Sequence, residues 1–459
     1  MKKKLVAGLM SLCMMTVLLV GCGSQSTTEV TEEAAESATS EAVSEETSEE
    51  SDKVVSEEGT DDLSGSITIW CWDETFNVPA AQKAGEIFKE AHPDVDVVVE
   101  VVSQNDINTK LTAAAVSGDI SELPDIVLEN DRNVSKYVTL YPDLFATLDD
   151  AGINYNDFAS YKVGYNTVNG QMYGVPFDSG VAVLALRTDI ISKCGYTVDD
   201  FTDITWSKFI ELGKEVYSKT GCNLLVDRAD VAQLLNVMLQ STGSWYFDKS
   251  DNVTIANNKN LAKVFEIYKE LVDNNIVALY NDGDGYNNAL WSGTTAGVCQ
   301  GCWVMSSIKK GEDQSGNWAL TNIPKVDEID SATNYSNNGG GSWMVINKEN
   351  AAVAKAFLAE TFAGSIELYN EILPETSAIA TYLPAREAEN YTLGDDFFGG
   401  QTVYQTIMSY ASEVPQINYG LYSSEAYDAI ATAMTKVLGG TEIADALQEA
   451  EETVSFQMQ

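Results

Sequence analysis

The sequence contains a single histidine, His92, and this shortage excludes most hydrolytic active sites that depend on an imidazole base. Basic residues are scarce as well, because 27 Lys and Arg residues stand against 69 Asp and Glu residues. The formal net charge of −42 repels nucleic acid and anionic membrane surfaces, which are themselves negatively charged. We therefore expect no nucleic-acid partner, and a neutral or cationic ligand is favoured over an anionic one.

Cysteines are few, and their number is odd once residues 1–22 are set aside, which excludes a complete disulfide framework. The remaining ones are Cys71, Cys194, Cys222, Cys299 and Cys302. Cys299 and Cys302 form a CxxC motif, but on the strand predicted at 296–303 they would face opposite sides. The sequence has no second CxxC to complete a zinc site. We expect small buried thiols there, and neither a metal nor a cofactor.

Only one long apolar run occurs, at residues 5–20, and spanning a bilayer takes about 20 apolar residues. Three lysines precede the run, and Leu-Val-Gly-Cys at 19–22 ends it. This order is typical of a secretory signal peptide at 1–21 with a lipobox, in which Cys22 carries the lipid (palmitate). The sequence thus predicts an exported lipoprotein at the outer face of the cell membrane. The alternatives are an ordinary signal peptide or a membrane anchor helix that happens to contain a cysteine.

Residues 22–65 contain no aromatic side chain, and residues 24–62 hold fourteen acids against one base, Lys53. Such a segment cannot bury enough apolar surface to offset the entropy of ordering it. We interpret 22–65 as a lipidated, disordered, acidic tether that holds a folded domain away from the membrane. An acidic interaction tail is the alternative.

Strand and helix patterns alternate directly after the tether. Strands are predicted at 66–72, 95–102 and 123–128, with helices at 80–91 and 105–117 between them. This alternation indicates an α/β fold with a parallel sheet. Ligands bind at the carboxyl ends of such strands, which points to the loops at 72–74 and 129–132. About 395 residues follow the tether, and this length favours two lobes or domains.

Several motifs resemble, in order, those of the extracellular solute-binding proteins of family 1, the maltose-binding-like proteins that serve ABC importers. They lie at 124–127 (PDIV), 170–180 (GQMYGVPFDSG), 205–209 (TWSKF), 292–303 (SGTTAGVCQGCW), 342–361 (SWMVINKENAAVAKAFLAET), 382–386 (YLPAR) and 437–452. Two positions depart from the family pattern: 186–188 (LRT) replaces a Tyr-Asn-Lys, and Cys302 replaces a proline.

The resemblance implies a two-lobed periplasmic-binding-protein fold of type II, in which each lobe is a mostly parallel sheet flanked by helices. The N-terminal lobe would comprise 66–176 plus 304–372, and the C-terminal lobe 177–303 plus 373–459. A hinge would join the lobes around a ligand cleft. The resemblance also implies a binding protein and not an enzyme, acting as a monomer that docks on ABC permease subunits.

The leading hypothesis is a carbohydrate-binding lipoprotein of an ABC importer, because eight tryptophans and an acidic surface suit a neutral sugar or oligosaccharide. Sugar binding needs flat aromatic faces and directed hydrogen bonds, and these two requirements select the candidate residues. They are Trp72, Asp73, Glu74, Asn130, Asp131, Asp178, Ser179, Trp245, Trp303, Trp343 and Arg386. Each has a structural alternative: core packing for the tryptophans, capping or turns for the acids, Asn130 and Ser179, and an ion pair for Arg386. Trp245 follows Gly243-Ser244 and is predicted to be an exposed stacking platform.

Three other functions stay open beside sugar import. The same fold could bind a polyamine, a metal complex or a peptide fragment. It could instead be a ligand-sensing subunit that docks on a membrane kinase. A surface glycosidase with two carboxylates is a less favoured alternative. It stays open because 69 acids leave many possible pairs.

Overall fold

The computed structural model describes residues 63–231 and 233–459. The predicted signal peptide (1–21), the predicted lipidation site Cys22 and residues 23–62 of the predicted tether lie outside these residues. Within them, no helix is both long and apolar enough to cross a bilayer.

The first part of the described chain has the predicted alternation of strands and helices. Helix α2 shows why its ends fall where they do, since Ser103 Oγ accepts the Asp106 N–H at 3.2 Å and Gly118 (φ 74°) ends the helix. The elements are β1 (Gly65–Cys71), α1 (Asn77–Ala91), β2 (Val95–Val101), α2 (Gln104–Ser117), β3 (Ile126–Asn130), α3 (Asp131–Leu140), α4 (Ser160–Asn166), β4 (Thr167–Val168), β5 (Gln171–Met172) and β6 (Gly174–Pro176).

The middle of the chain opens on a strand whose six residues are all buried. Its elements are β7 (Ala182–Arg187), α5 (Thr188–Ile191), α6 (Trp206–Thr220), β8 (Leu225–Arg228), α7 (Gln233–Ser241), α8 (Lys259–Asp273), β9 (Val277–Tyr280), α9 (Gly283–Ser292), β10 (Gly297–Gly301), α10 (Val304–Lys309) and β11 (Trp318–Thr321). In β10, Cys299 is buried, and Cys302 is buried just past the strand end, as predicted for both.

The last part is one strand followed by helices. These elements are β12 (Gly341–Val345), α11 (Ala351–Glu360), α12 (Ile366–Thr376), α13 (Glu389–Thr392), α14 (Val403–Tyr410), α15 (Ser423–Leu438) and α16 (Ile443–Gln457). Helix α12 packs on α1, whereas α15 and α16 pack on α8, so this part of the chain contributes to both ends of the molecule.

Two sheets organise the fold. The first sheet has the order β2-β1-β3-β12-β6, in which β2, β1 and β3 are parallel and β12 is antiparallel to both of its neighbours. The second sheet has the order β10-β7-β11 and is antiparallel throughout, and β8 and β9 form a separate parallel pair. The prediction of a mostly parallel sheet in each lobe is therefore wrong for the second sheet. There β7 lies between two strands that run opposite to it.

We call the body around the first sheet the first lobe and the body around the second sheet the second lobe. The proposed division between them needs one change. The family resemblance places residues 304–372 in the first lobe, but β11 pairs with β7 in the second sheet, and only β12 returns to the first sheet. We therefore propose that the chain returns to the first lobe at 336–341 and not at 304.

Candidate functional site

Two chain segments cross between the lobes, at 177–181 and 336–341, and a third segment, 377–381, runs antiparallel beside the first. Together we call these three segments the hinge. They are tied to one another by backbone hydrogen bonds, since Ser179 N–H donates to Ile379 O and Asn338 N–H to Gly180 O, each at 2.7 Å. The crossing strands also lie very close together, because a Cβ on Gly180 would come within 2.5 Å of Gly339 O. A glycine is therefore required at position 180.

A cleft of about 510 Å³ lies between the lobes, beside the hinge. Both lobes supply its walls, with aromatic side chains on each side. The aromatic residues that line it are Trp72, Phe76, Trp303, Tyr419 and Tyr427. Concave sites of this size, with aromatic walls and a few polar groups, are typical of small-molecule binding.

The first-lobe wall begins where β1 ends. The backbone N–H groups of Trp72 and Asp73 donate to Asn77 Oδ1 at 3.0 and 2.9 Å, which holds the loop against the start of α1. Asp73 Oδ1 accepts the N–H and the Oγ1–H of Thr75 at 2.8 and 2.9 Å. Trp72 and Asp73 line the cleft, whereas Glu74 is exposed and lies outside it.

The same wall continues at the junction of β3 and α3. Asn130 lines the cleft as the last residue of β3. Arg132 lines it from the first turn of α3, and its guanidinium lies over the Tyr427 ring, 5.0 Å from the centroid. Tyr427 belongs to α15, so this cation–π contact joins the two walls of the cleft. Lys136, one turn further along α3, pairs with Glu425 of the same helix at 2.9 Å.

The second-lobe wall is built on Trp303, Tyr419 and Tyr427. Trp303 Nε1 donates to Asn338 O at 2.9 Å, which fixes the indole against the hinge. Trp245 stands behind this wall, where its ring centroid lies 5.4 Å from that of Tyr419 and 5.8 Å from that of Tyr427. Its side chain is 4% exposed, so the prediction of an exposed platform is wrong. The loop after Gly243-Ser244 turns inward and buries the indole.

Two predicted ligand residues, Asp131 and Asp178, belong to a buried charged cluster under the hinge. Asp131 forms an ion pair with Lys162 and accepts the Ser342 Oγ–H at 2.7 Å. Asp178 accepts the Gly341 N–H at 2.8 Å. Burial raises the pKa of Asp178 to about 6, although the charge of Lys162 counteracts the rise. Asp178 still reaches the cleft, whereas Asp131 does not line it.

The structure places three further candidates away from the cleft. Ser179 is buried, and its Oγ accepts the Val181 N–H at 3.3 Å. Trp343 is fully buried and packs on Phe362, with ring centroids 4.9 Å apart. Arg386 is exposed and pairs with the neighbouring Glu387 at 3.0 Å. None of these three lines the cleft as the structure describes it.

Several cleft residues were not predicted. They are Thr75, Phe76, Asn77, Gln104, Gln233, Ser306, Ser307, Lys310, Asn338, Tyr419 and Tyr427. Gln104 could have been predicted from the sequence, because it follows the carboxyl end of β2 as Trp72 follows that of β1. Tyr419 and Tyr427 lie far along the chain in segments without a motif. Within the described residues, no group of three or more His, Cys, Asp or Glu side chains is arranged to hold a metal ion.

Glu129 supports the cleft from behind. Its Oε1 accepts the Asn130 N–H and the Asn133 Nδ2–H, each at 2.8 Å, while its Oε2 is buried and has no partner among the residues that the structure describes. Burial raises the pKa of Glu129 from 4.5 to about 7. The Glu129 carboxyl group therefore binds its proton more tightly in the folded chain than in the unfolded chain. The stability that Glu129 contributes is complete below about pH 4.5 and is lost as the pH rises through about 7.

We expect Glu129→Gln to remove this pH dependence, because the amide stays neutral at every pH. Relative to the wild type, the variant should gain about 2–3 kcal/mol of unfolding free energy between pH 4.5 and pH 8. Urea unfolding at both pH values measures the difference. Glu74→Gln is the control, because Glu74 is exposed, and its profile should follow the wild type. If the unfolding free energies of Glu129→Gln and the wild type changed equally with pH, the raised pKa of Glu129 would be contradicted.

Comparisons with known proteins identify relatives that are solute-binding proteins. A family model for bacterial extracellular solute-binding proteins matches residues 83–389. The lactose-binding protein of Rhizobium radiobacter is 38% identical over 399 residues, covering 86% of this chain and 94% of that protein. The arabinooligosaccharide-binding protein of Halalkalibacterium halodurans is 24% identical over 422 residues, covering 87% of this chain and 91% of that protein.

A solved structure shows the same fold. It is the galacto-N-biose/lacto-N-biose I-binding protein of the ABC transporter from Bifidobacterium longum, in complex with lacto-N-biose. The TM-score is 0.70 at 19% identity, covering 86% of this chain and 97% of that chain. This likeness confirms the predicted two-lobed α/β fold.

Proposed function

This chain belongs to the family of bacterial extracellular solute-binding proteins, and we propose that its ligand is a neutral di- or oligosaccharide, with lactose as the first candidate. The observation that carries the proposal is the lining of the inter-lobe cleft. Aromatic rings stand on both walls, and the polar groups between them include the uncharged amides of Gln104, Asn130, Gln233 and Asn338. Aromatic faces cover the apolar faces of a pyranose, and amides hydrogen-bond its hydroxyls.

The charges of the cleft favour a neutral ligand over a polyamine. The described lining contains two acids, Asp73 and Asp178, and two bases, Arg132 and Lys310. Asp73 already accepts two hydrogen bonds from Thr75, and Asp178 accepts one from Gly341. A site for a polycation needs an excess of free carboxylates, and these two are largely occupied.

We further propose that the chain is a binding protein without catalytic activity, which delivers its ligand to an ABC importer. The family membership and the resemblance to lactose-binding and arabinooligosaccharide-binding proteins support this role. An anchor through a lipid on Cys22, at the outer face of the cell membrane, fits the sequence at 19–22. The mass of the exported chain tests the anchor, because a lipid raises it well above the mass of a chain cleaved without modification.

Lactose should stabilise the protein. At about 100 times its Kd, a ligand that binds only the folded chain adds roughly 2.7 kcal/mol of unfolding free energy. Thermal unfolding with lactose, with putrescine and without ligand measures the effect. Stabilisation by putrescine and not by lactose would overturn the sugar proposal. Release of free galactose from lactose during the incubation would indicate a glycosidase instead.

A pair of variants ties the effect to the cleft. Trp72→Ala should weaken lactose binding by about three- to tenfold, because it removes one aromatic face from the wall. Tyr217→Ala is the matched control, since Tyr217 is a partly exposed aromatic residue of α6 outside the cleft. Equal affinities for the two variants would place the sugar elsewhere.

A further inference from the structure

We infer that Gln300, a buried glutamine of β10, fixes the hydrogen-bonding direction of two amide side chains in the cleft and so selects the hydroxyl pattern of the ligand. The inference rests on the proposed function, because it concerns a sugar bound in the same cleft. Gln300 itself does not line the cleft. It acts through Gln233 and Asn338, and is therefore a positioning residue.

The direction is anchored by a backbone group. The N–H of Gly301 donates to Gln300 Oε1 at 2.9 Å. A backbone N–H can only donate, so the oxygen of the Gln300 amide must face it and the nitrogen must face the other way. Gln300 is 1% exposed, so water cannot stabilise the reversed orientation, which would leave buried donors unpaired.

The fixed orientation of the Gln300 amide determines the orientation of the Gln233 and Asn338 amides. Gln300 Nε2 donates to Gln233 Oε1 at 2.5 Å, which leaves Gln233 Nε2 as a free donor. Gln300 Oε1 also accepts from Asn338 Nδ2, which leaves Asn338 Oδ1 as a free acceptor. One amide therefore orients two others, and the result is one free donor and one free acceptor on residues that line the cleft.

Both free atoms belong to residues that line the cleft, Gln233 and Asn338. Among the described residues, neither atom is buried without a hydrogen-bond partner. The main chain of Asn338 cannot easily rotate, because its N–H donates to Gly180 O at 2.7 Å and its C=O accepts from Trp303 Nε1 at 2.9 Å. The acceptor is thus held at a fixed place in the hinge.

A donor and an acceptor that are oriented by the same buried amide match two neighbouring hydroxyls of a sugar. One hydroxyl accepts from Gln233 Nε2, and the next donates to Asn338 Oδ1. A protonated amine has no lone pair and cannot accept from Gln233. At this wall, the amide arrangement therefore favours a vicinal diol over a polyamine.

Binding of lactose and of its monodeoxy and monodeoxyfluoro analogues, measured by calorimetry, tests the arrangement. Fluorine accepts a hydrogen bond weakly and cannot donate one, whereas hydrogen does neither. At the hydroxyl that faces Asn338, both replacements should weaken binding by about tenfold. At the neighbouring hydroxyl that faces Gln233, the fluoro analogue should bind more tightly than the deoxy analogue.

Two variants of Gln300 change this pattern in different ways. Gln300→Glu keeps an acceptor for Gly301 and Asn338 but places a second acceptor toward Gln233. Gln233 must then turn its Nε2 inward, so the fluoro analogue should lose its advantage. Gln300→Met releases both cleft amides and should abolish both preferences. The control is Gln314→Met, which removes another buried amide of the second lobe outside the cleft and should keep the wild-type pattern.

Retention of the wild-type pattern in Gln300→Met overturns the inference, and this variant decides the matter even if Gln300→Glu does not fold. If the wild type does not bind lactose at all, the proposed ligand is wrong. Hydrogen exchange without ligand then tests whether Gln300 accepts the Gly301 N–H. The Gly301 amide should then exchange faster in Gln300→Met than in the wild type, because its acceptor is gone. Equal protection of Gly301 in those two proteins overturns the inference independently of any sugar.

Discussion

Lys162→Met should lower the unfolding free energy by about 3–5 kcal/mol at pH 7, far more than the loss of a surface lysine. The Lys162 side chain is 0% exposed and its partner Asp131 is 1% exposed. Without the ammonium group, Asp131 is left buried beside Asp178 with no compensating charge. Removing one partner of a buried pair costs this much because the other charge stays desolvated.

Chemical denaturation at pH 7 measures the loss, with Lys214→Met as the matched control. Lys214 pairs with Glu270 at 3.2 Å, but both side chains are about half exposed, so its removal should cost less than about 1 kcal/mol. Adding Asp131→Asn to Lys162→Met should recover part of the loss, because it removes one of the two uncompensated carboxylates. Equal costs for the two lysine variants would show that the buried pair does not stabilise the fold.

The buried cluster of Asp131, Lys162 and Asp178 lies directly against the backbone of the hinge. A Cβ at Gly340 would lie 2.5 Å from Lys162 Nζ and 2.9 Å from Asp131 Oδ2, and the residue has a φ of +92°. The backbone of the hinge therefore runs directly over the ion pair. Burial already raises the pKa of Asp178 to about 6, and without Lys162 it should rise further. The instability of Lys162→Met should therefore be smaller at pH 5 than at pH 7.

Trp245→Ala should also cost about 3–5 kcal/mol, because it removes a large side chain from a closed aromatic cluster. The indole packs on Tyr246 at 4.7 Å and edge-on against Tyr419 at 5.4 Å. Its removal leaves a cavity behind two residues that line the cleft, Tyr419 and Tyr427. We therefore expect a loss of lactose affinity as well as a loss of stability.

Trp318→Ala separates the two effects. Trp318 is 1% exposed in β11 and lies outside the cleft, so this variant should lose a similar amount of stability and keep its affinity for lactose. Thermal unfolding and lactose titration below the melting temperature measure both quantities. A stable Trp245→Ala protein with weakened binding would restore the interpretation of Trp245 as an exposed platform.

The sequence predicts the first lobe better than the second, for a physical reason. Strands β1 to β3 have a side-chain period of two and the helices between them a period of 3.6, so the sequence distinguishes them. A helix between two consecutive strands returns the chain to the edge of the sheet where the first strand began, so the two strands are parallel. In contrast, all six residues of β7 are buried, and a short apolar run carries no information about the direction of its partners. Its antiparallel neighbours β10 and β11 come from more than a hundred residues later.

The candidate site also contains residues that the sequence places well and residues that it does not. The expectation that ligands bind at the carboxyl ends of parallel strands selects Trp72, Asp73 and Asn130, and all three line the cleft. It failed at Asp131, because α3 begins at once and turns that carboxylate toward Lys162. Tryptophans such as Trp343 are ambiguous in sequence, since one side chain suits a core and a stacking surface equally well.

The connectivity of the first sheet has a consequence for how the chain is made. Strand β12 stands between β3 and β6, and the bond from Ser342 to Asp131 joins residues 211 positions apart. A chain emerging from the ribosome therefore holds β1, β2, β3 and β6 long before the strand that fills the gap has been synthesised. Contacts this distant in sequence form slowly, since a long loop must close first. The nascent first lobe stays incomplete until three-quarters of the protein exists, which keeps the chain open during the interval in which a secreted protein must still be threaded through a membrane channel.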